Sequence, residues 1–265
     1  MNQNFITLGT FGDTIYSLCA MKMLGGGNLY VKLNAIGDFI RNVVGWPSAG
    51  EGEGRYTEQD YEFLAPLLKA QDYLNEVDIW NGQQDDFPQL LDHFKFHIQE
   101  RWQGNQTECY ALAMGWDIHD SDIKSQLLYQ PWLTELKPLR VSGRPIIINR
   151  TSRHLVGAEG HGWQGWIDNG LGQRAIFLGT RQEHENFEET FKTKVLYQPI
   201  TDMLEMARFI QGSEMFIGNQ SVALSIAIGL GKTHWCEVRK DFENIKTPHG
   251  GYGDVWFPRI NSFYF

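Results

Sequence analysis

Cysteine is scarce and scattered in this chain. Cys19, Cys109 and Cys236 are odd in number, far apart and form no C-x-x-C pair. Neither a disulfide framework nor a thiolate metal centre is readable from them, and all three fit small buried hydrophobes in a reducing compartment. Long apolar runs are missing too: none approaches the roughly 18–20 residues that a membrane-spanning helix needs. The opening stretch MNQNFITLG has neither the basic start nor the apolar core of a secretory signal. Positive charge is in deficit, with 23 Lys and Arg against 32 Asp and Glu. The resulting net charge of −9 argues against nucleic acid or an anionic membrane surface as a bulk partner, though it leaves room for a local basic pocket. Five histidines, His93, His97, His119, His161 and His249, make no ligand spacing with Cys or a carboxylate, so no metal site is expected. Together these absences lead to the expectation of a cytoplasmic protein with no membrane span and no cofactor.

What is present is ample apolar material. Hydrophobic residues make up 42% of 265 positions, enough for a packed core, and the length suits one large domain or two smaller ones. The most informative stretch is Phe216 to Lys232, FIGNQSVALSIAIGLGK. A short apolar run ends at Ile217, a turn follows at Gly218-Asn219-Gln220-Ser221, and an Ala-rich apolar segment closes at Gly231. This reads as strand, tight turn, helix. Backbone N–H groups and the positive end of a helix dipole at such a turn form a seat for an anion such as phosphate.

The same punctuation recurs along the chain. Phe5–Leu8 reads as a strand, Gly9–Asp13 as a turn, Thr14–Leu24 as a helix with Asp13 as its N-cap, and Asn28–Leu33 as the next strand, one βαβ unit. The Gly-rich segment from Asn34 to about Tyr56 reads as a surface loop, and the segment from Asp85 to Gln103 has no clear period. Pro131 to Pro145 reads as an interdomain link, with a hinge near Pro138. Beyond it, five strands (starting at Pro145, Arg174, Lys194, Glu214 and Thr233) alternate with four helices, which implies a parallel sheet covered on both faces. The expected fold is α/β, two Rossmann-like domains facing a cleft. The expected domains are residues 1–135, residues 145–250, and a tail over 251–265 that crosses back to the first. In open α/β sheets a ligand sits beyond the carboxyl ends of the strands, which selects the turns after Leu8, Asn149, Leu178, Ile217 and Glu237.

Two segments carry a family resemblance. Gly12-Asp13-Thr14-Ile15-Tyr16-Ser17-Leu18 resembles the G-D-x-x-x-S/T-L segment near the start of lipopolysaccharide heptosyltransferase-like enzymes, which are GT-B glycosyltransferases. Phe216–Lys232 resembles their second signature, F-I-G-N-D-S-G-x-x-H-L-A-A-A-L-G-K, and Thr201–Gly212 is similar to the helix before it. The chain departs from that signature at Gln220 in place of Asp, Val222 in place of Gly and Ser225 in place of His. The resemblance implies a hexosyl- or heptosyl-type transfer from a nucleotide-diphosphate sugar to a hydroxyl of a glycan or small molecule, with inversion. No metal is needed if the protein itself supplies positive charge to the departing diphosphate. The departures leave two alternatives open: a non-catalytic nucleotide or nucleotide-sugar binder that kept the fold, and the same transfer onto a modified DNA base.

The chemistry selects the candidate residues. A carboxylate must take the acceptor's proton, and Asp13 matches the position of the family's base; the competing account is a helix cap. Donor and phosphate binding is expected from Gly12, Arg150, Arg153, Thr180, Asn219, Gln220, Ser221 and Glu237. Arginine suits bidentate phosphate recognition, and a carboxylate such as Glu237 at a strand end can accept ribose hydroxyls. The alternatives are a solvated loop for the two arginines, with His154 beside them, and plain turn or cap roles for the rest.

Overall fold

A computed structural model describes residues 3–35, 56–82, 89–93, 106–152, 161–238 and 261–264. The chain divides into two compact units, Met1–Thr134 with Asp202–Leu204, and Glu135–Thr201 with Glu205–Phe265.

The first unit runs β1 (Asn4–Thr7), α1 (Phe11–Met23), β2 (Gly27–Val31), α2 (Glu58–Lys69), β3 (Leu74–Ile79), β4 (Gln89–Leu90), a 3-10 turn at Leu91–His93, α3 (Gln106–Ala113) and α4 (Ser121–Tyr129). Its four strands lie in the order β3-β2-β1-β4, and every pair is parallel. α1 begins three residues earlier than the sequence suggests. Thr10, not Asp13, is the N-cap, and Asp13 is the third helical residue of a capping box in which the Thr10 hydroxyl accepts the Asp13 N–H. The T-x-x-D spacing of such a box is present in Thr10-Phe11-Gly12-Asp13; the glycine disguised it as a turn. The proline-containing segment after α4 is held to this unit by Trp132, which is buried and donates its Nε1–H to Ile15 O at 2.9 Å.

The second unit runs β5 (Ile146–Asn149), α5 (His161–Asp168), α6 (Leu171–Arg174), β6 (Ala175–Leu178), α7 (Arg181–Phe191), β7 (Leu196–Gln198), α8 (Met203–Gly212), β8 (Met215–Asn219), α9 (Val222–Gly229), β9 (His234–Val238) and β10 (Asn261–Tyr264). The sheet is parallel throughout, in the order β10-β9-β8-β5-β6-β7. Counted within the unit, that is the 3-2-1-4-5-6 arrangement of dinucleotide-binding folds. The central strands are buried along their whole length, Ile146–Asn149 and Ala175–Leu178 among them, as a parallel sheet covered on both faces requires. One face is closed by aromatic packing: the rings of Trp163 and Phe187 meet edge-to-face at 5.1 Å, a favoured quadrupole geometry. Asn261–Tyr264 adds a strand to β9, whose outer backbone groups would otherwise lack ladder partners; residues 251–260 of the expected tail lie outside the described residues.

Candidate functional site

Each sheet has its own point where the strand order reverses, the place at which open α/β sheets take their ligands. In the first unit it lies between β1 and β4, which are neighbours in the sheet. The turn after β1 carries Gly9 to Asp13, and the turn after β4 carries Asp92. Asp13 is half-buried. Gln106, from α3, donates its Nε2–H to Asp13 Oδ1 at 2.9 Å, and Thr10 N approaches Oδ2 at 3.4 Å. Tyr110 donates its hydroxyl to the Asp13 carbonyl at 2.7 Å. The carboxylate is therefore held in one orientation.

Asp92 was not expected at this place. It is 1% exposed, and its Oδ2 accepts the Leu8 N–H at 2.7 Å. A Cβ at Gly9 would lie 2.5 Å from Asp92 Oδ1 and 3.2 Å from Asp13 Oδ2, so both carboxylates border the small space beside Gly9. Beneath them runs a buried hydroxyl chain, Tyr56 OH to Thr14 Oγ1 at 2.7 Å and Thr14 Oγ1 to Thr7 Oγ1 at 2.9 Å. Burial, and after it the charges of Asp13 and Asp92, hold the Tyr110 phenol well above its usual range. Burial does the same to Tyr56, with Asp92 and Asp13 adding to it and the Thr14 hydrogen bond opposing. Both phenols stay protonated at neutral pH, and that of Tyr110 is the donor to the Asp13 carbonyl. Gly12, expected to approach a phosphate, is the second residue of α1, in a helix turn whose positive end already faces the Asp13 carboxylate. An anion is less favoured there than at a helix start without an acid.

In the second unit the reversal falls between β5 and β8. Asn149 pairs with Gly218 across it, and a Cβ at Gly218 would stand 2.3 Å from Asn149 O, which accounts for the glycine. Asn219 is fully buried. Its Oδ1 accepts the Thr151 N–H at 3.0 Å and its Nδ2 donates to Thr151 O at 3.0 Å, so one amide clamps the turn after β8 to the turn after β5. Gln220 follows, half-buried. Ser221 is the N-cap of α9, its Oγ accepting the Leu224 N–H at 3.3 Å. No acidic residue lies in the first turn of α9, in contrast to Asp13 in α1 and Glu183 in α7.

Arg150 and Glu237 stand at the ends of β5 and β9, as expected, but they face each other. Arg150 Nε and Nη2 meet Glu237 Oε2 and Oε1 at 2.7 and 2.8 Å, a bidentate pair with both partners buried. Trp163 Nε1 donates to Glu237 Oε2 at 2.8 Å, and the guanidinium lies 5.1 Å from the centre of the Phe191 ring. The pair ties the sheet to the aromatic layer formed by α5 and α7. Thr180, at the end of β6, caps α7, its hydroxyl accepting the Glu183 N–H at 3.2 Å. Arg153 and His154 lie outside the described residues. Among the described residues no three His, Cys, Asp or Glu side chains gather as a metal site, and no helix is long and apolar enough to cross a membrane.

No family model and no curated protein matches the chain. Solved structures do. One is a glycosyl transferase family 9 protein from Veillonella parvula, similar at a TM-score of 0.57 and 10% identity over 100% of this chain and 86% of that one. Another is the iron-containing dodecameric glycosyltransferase TibC of enterotoxigenic E. coli, at 0.51 and 13% identity over 96% of this chain and 65% of that one. The fold is GT-B. The E. coli heptosyltransferase WaaC with ADP is similar at 0.47 and 14% identity, over 97% of this chain and 92% of that one. In the GT-B description, the two parallel sheets are its two Rossmann-like units, and the two strand-order reversals described above belong one to each.

Proposed function

We propose that the protein is an inverting, metal-independent glycosyltransferase acting on a nucleotide-diphosphate sugar. The observation that supports this most is the Asp13 carboxylate, oriented by Gln106 at the strand-order reversal of the first unit. In the reaction, Asp13 takes the proton of the acceptor hydroxyl. The oxygen bonds to the anomeric carbon from the face opposite the diphosphate. The carbon–oxygen bond to the diphosphate breaks, and the electron pair leaves with the nucleoside diphosphate. Its negative charge is met by the start of α9 at Gln220 and Ser221, where N–H dipoles stand without a competing acid. Asn219 holds that turn in place. In this reading Arg150 and Glu237 brace the donor unit from inside, Thr180 supports the neighbouring turn, and a part for Arg153 in gripping phosphate remains a proposal. A hexose or heptose as the moving sugar, and a glycan or small molecule as acceptor, follow from the resemblance.

A second reading has one specific observation in its favour. Ser225, where the resembled signature has His, is fully buried and donates its hydroxyl to Val222 O at 2.7 Å, so this position offers a ligand nothing. A nucleotide-sugar binder without turnover would tolerate that loss. The test of the donor half is a thermal-shift panel of nucleosides, nucleoside diphosphates and nucleotide sugars. A ligand at 100 times its Kd stabilises the native state by about 2.7 kcal/mol. At least one diphosphate should raise the midpoint while its parent nucleoside does so far less. A panel without any response contradicts both readings.

A further inference from the structure

We propose that Asn149 is a specificity-determining residue of the donor side: its side-chain oxygen accepts a hydrogen bond from a ribose hydroxyl of the nucleoside diphosphate. The inference rests on the reading of the second unit as the donor unit. It starts from an amide of which only half is used. Asn149 is the last residue of β5 and is 3% exposed. Its Nδ2 donates to Leu178 O, at the end of β6, at 2.6 Å. Among the described residues its Oδ1, also buried, has no hydrogen-bond partner. Exchanging the two amide atoms would set oxygen against the Leu178 carbonyl oxygen, so the orientation is fixed. A buried acceptor without a donor is a standing cost to a fold, and native proteins leave few of them.

The place of this amide gives the unused oxygen a task. β5 is one of the strands at the reversal of the second sheet, where sheets of this order bind nucleotides. The side chain lies at the level of the turns beyond the strands: a Cβ at Gly179, the first residue after β6, would stand 3.1 Å from Asn149 Nδ2. Across β5, the residue paired with Asn149 is Gly218, which brings no side chain. The atom itself selects the partner's chemistry. A carboxamide oxygen accepts and does not donate, so it offers a phosphate oxygen nothing and suits an O–H. The carboxylate expected to accept ribose hydroxyls, Glu237, is engaged by Arg150 and Trp163, whereas Asn149 holds an acceptor that is unspent. A hydroxyl that reaches it displaces no protein donor.

The test uses the full chain and the nucleoside diphosphate that gives the largest thermal shift, beside its 2′-deoxy and 3′-deoxy analogues and its sugar conjugate. By calorimetry, wild type should bind one of the deoxy analogues roughly 10-fold more weakly than the parent, the size of one hydrogen bond to a buried neutral acceptor. Asn149→Leu keeps the side chain's volume and removes the oxygen, and it should bind parent and analogue alike. A second measurement needs no variant. In wild type carrying 13C at the asparagine side-chain carbonyls, the Asn149 signal should move downfield with the parent and stay in place with the weaker analogue. Equal affinity of wild type for the parent and both analogues would overturn the proposal, as would a preference that survives in Asn149→Leu. A carbonyl signal already at its hydrogen-bonded position without ligand, and unmoved by it, would assign the oxygen to an internal water and overturn it too. A signal that moves only with the sugar conjugate would give the oxygen to the transferred sugar and overturn the ribose assignment. Failure of wild type to bind any nucleoside diphosphate is a distinct result: it contradicts the reading of the second unit as the donor side, and this proposal with it.

Discussion

Replacing Arg150 by alanine separates a brace from a ligand clamp. The guanidinium and the Glu237 carboxylate are 6% and 0% exposed as side chains, so solvent screening is slight. Removing one partner of a buried pair leaves the other charge without its counterion, which costs about 3–5 kcal/mol. Here the Trp163 N–H remains on Glu237 Oε2 and offsets part of that, so the lower end, about 3 kcal/mol, is expected. For a chain of this size the loss should lower the thermal midpoint on the order of 10 °C. The assay is urea unfolding followed by the emission of the chain's nine tryptophans, Trp163 among them. The paired replacement Arg150→Met with Glu237→Leu should recover most of the loss, since an apolar pair of similar volume is often no worse than the ions. A loss below about 1 kcal/mol in Arg150→Ala, together with a large rise in nucleoside diphosphate Kd, would refute the brace and return Arg150 to the phosphate.

Three further outcomes follow from the same geometry. Asn219→Ala removes the three bonds to Thr151 and should cost about 2 kcal/mol in urea unfolding, with loss of any diphosphate-induced thermal shift. Ser221→Ala removes the α9 cap and should cost about 1 kcal/mol; a gain in stability would contradict the cap. Glu188 gives a pH signature. Burial tends to raise its pKa, but hydrogen bonds from Lys194 and Val195 outweigh that and lower it. Its contribution to stability is therefore present above the unfolded carboxyl range and fades as pH falls through the lower folded value. Wild type and Glu188→Gln should differ in stability at neutral pH and converge under strong acid; a constant gap across the range would refute the assignment.

The alternation of strands and helices was legible because each element is marked locally. Val222–Gly229 is an apolar run broken only by Ser225 after a polar turn, and Ile146–Ile148 is three isoleucines in a row. The strand order was not legible, because it depends on which crossovers each helix makes and not on local pattern. Asp92 stayed hidden for a similar reason. β4 is two residues long, too short to show a period, and Asp92 meets Leu8 across 84 positions. Arg150 and Glu237 were both singled out at strand ends, but their mutual pairing spans 87 positions and could not be read from either. α4 has a strong cap in Asp120, which accepts the Asp122 and Ile123 N–H groups, but its largely polar sequence gives it little apolar period to read. Asn219 is expected at the phosphate from its place in the turn, and the clamp its amide makes on Thr151 is a contact that no local pattern announces.

The central claim is that Asp13 takes a proton in a sugar transfer and does little for donor binding. Calorimetric donor affinity and steady-state turnover of Asp13→Asn, measured on the same preparation as the wild type, test it together. Asparagine keeps the side chain's shape and can still accept a bond from Gln106, but it cannot act as the base. The account predicts a donor Kd within about twofold of wild type and a kcat lower by at least 10²-fold, the usual contribution of a positioned base. Equal turnover by the two proteins would contradict it.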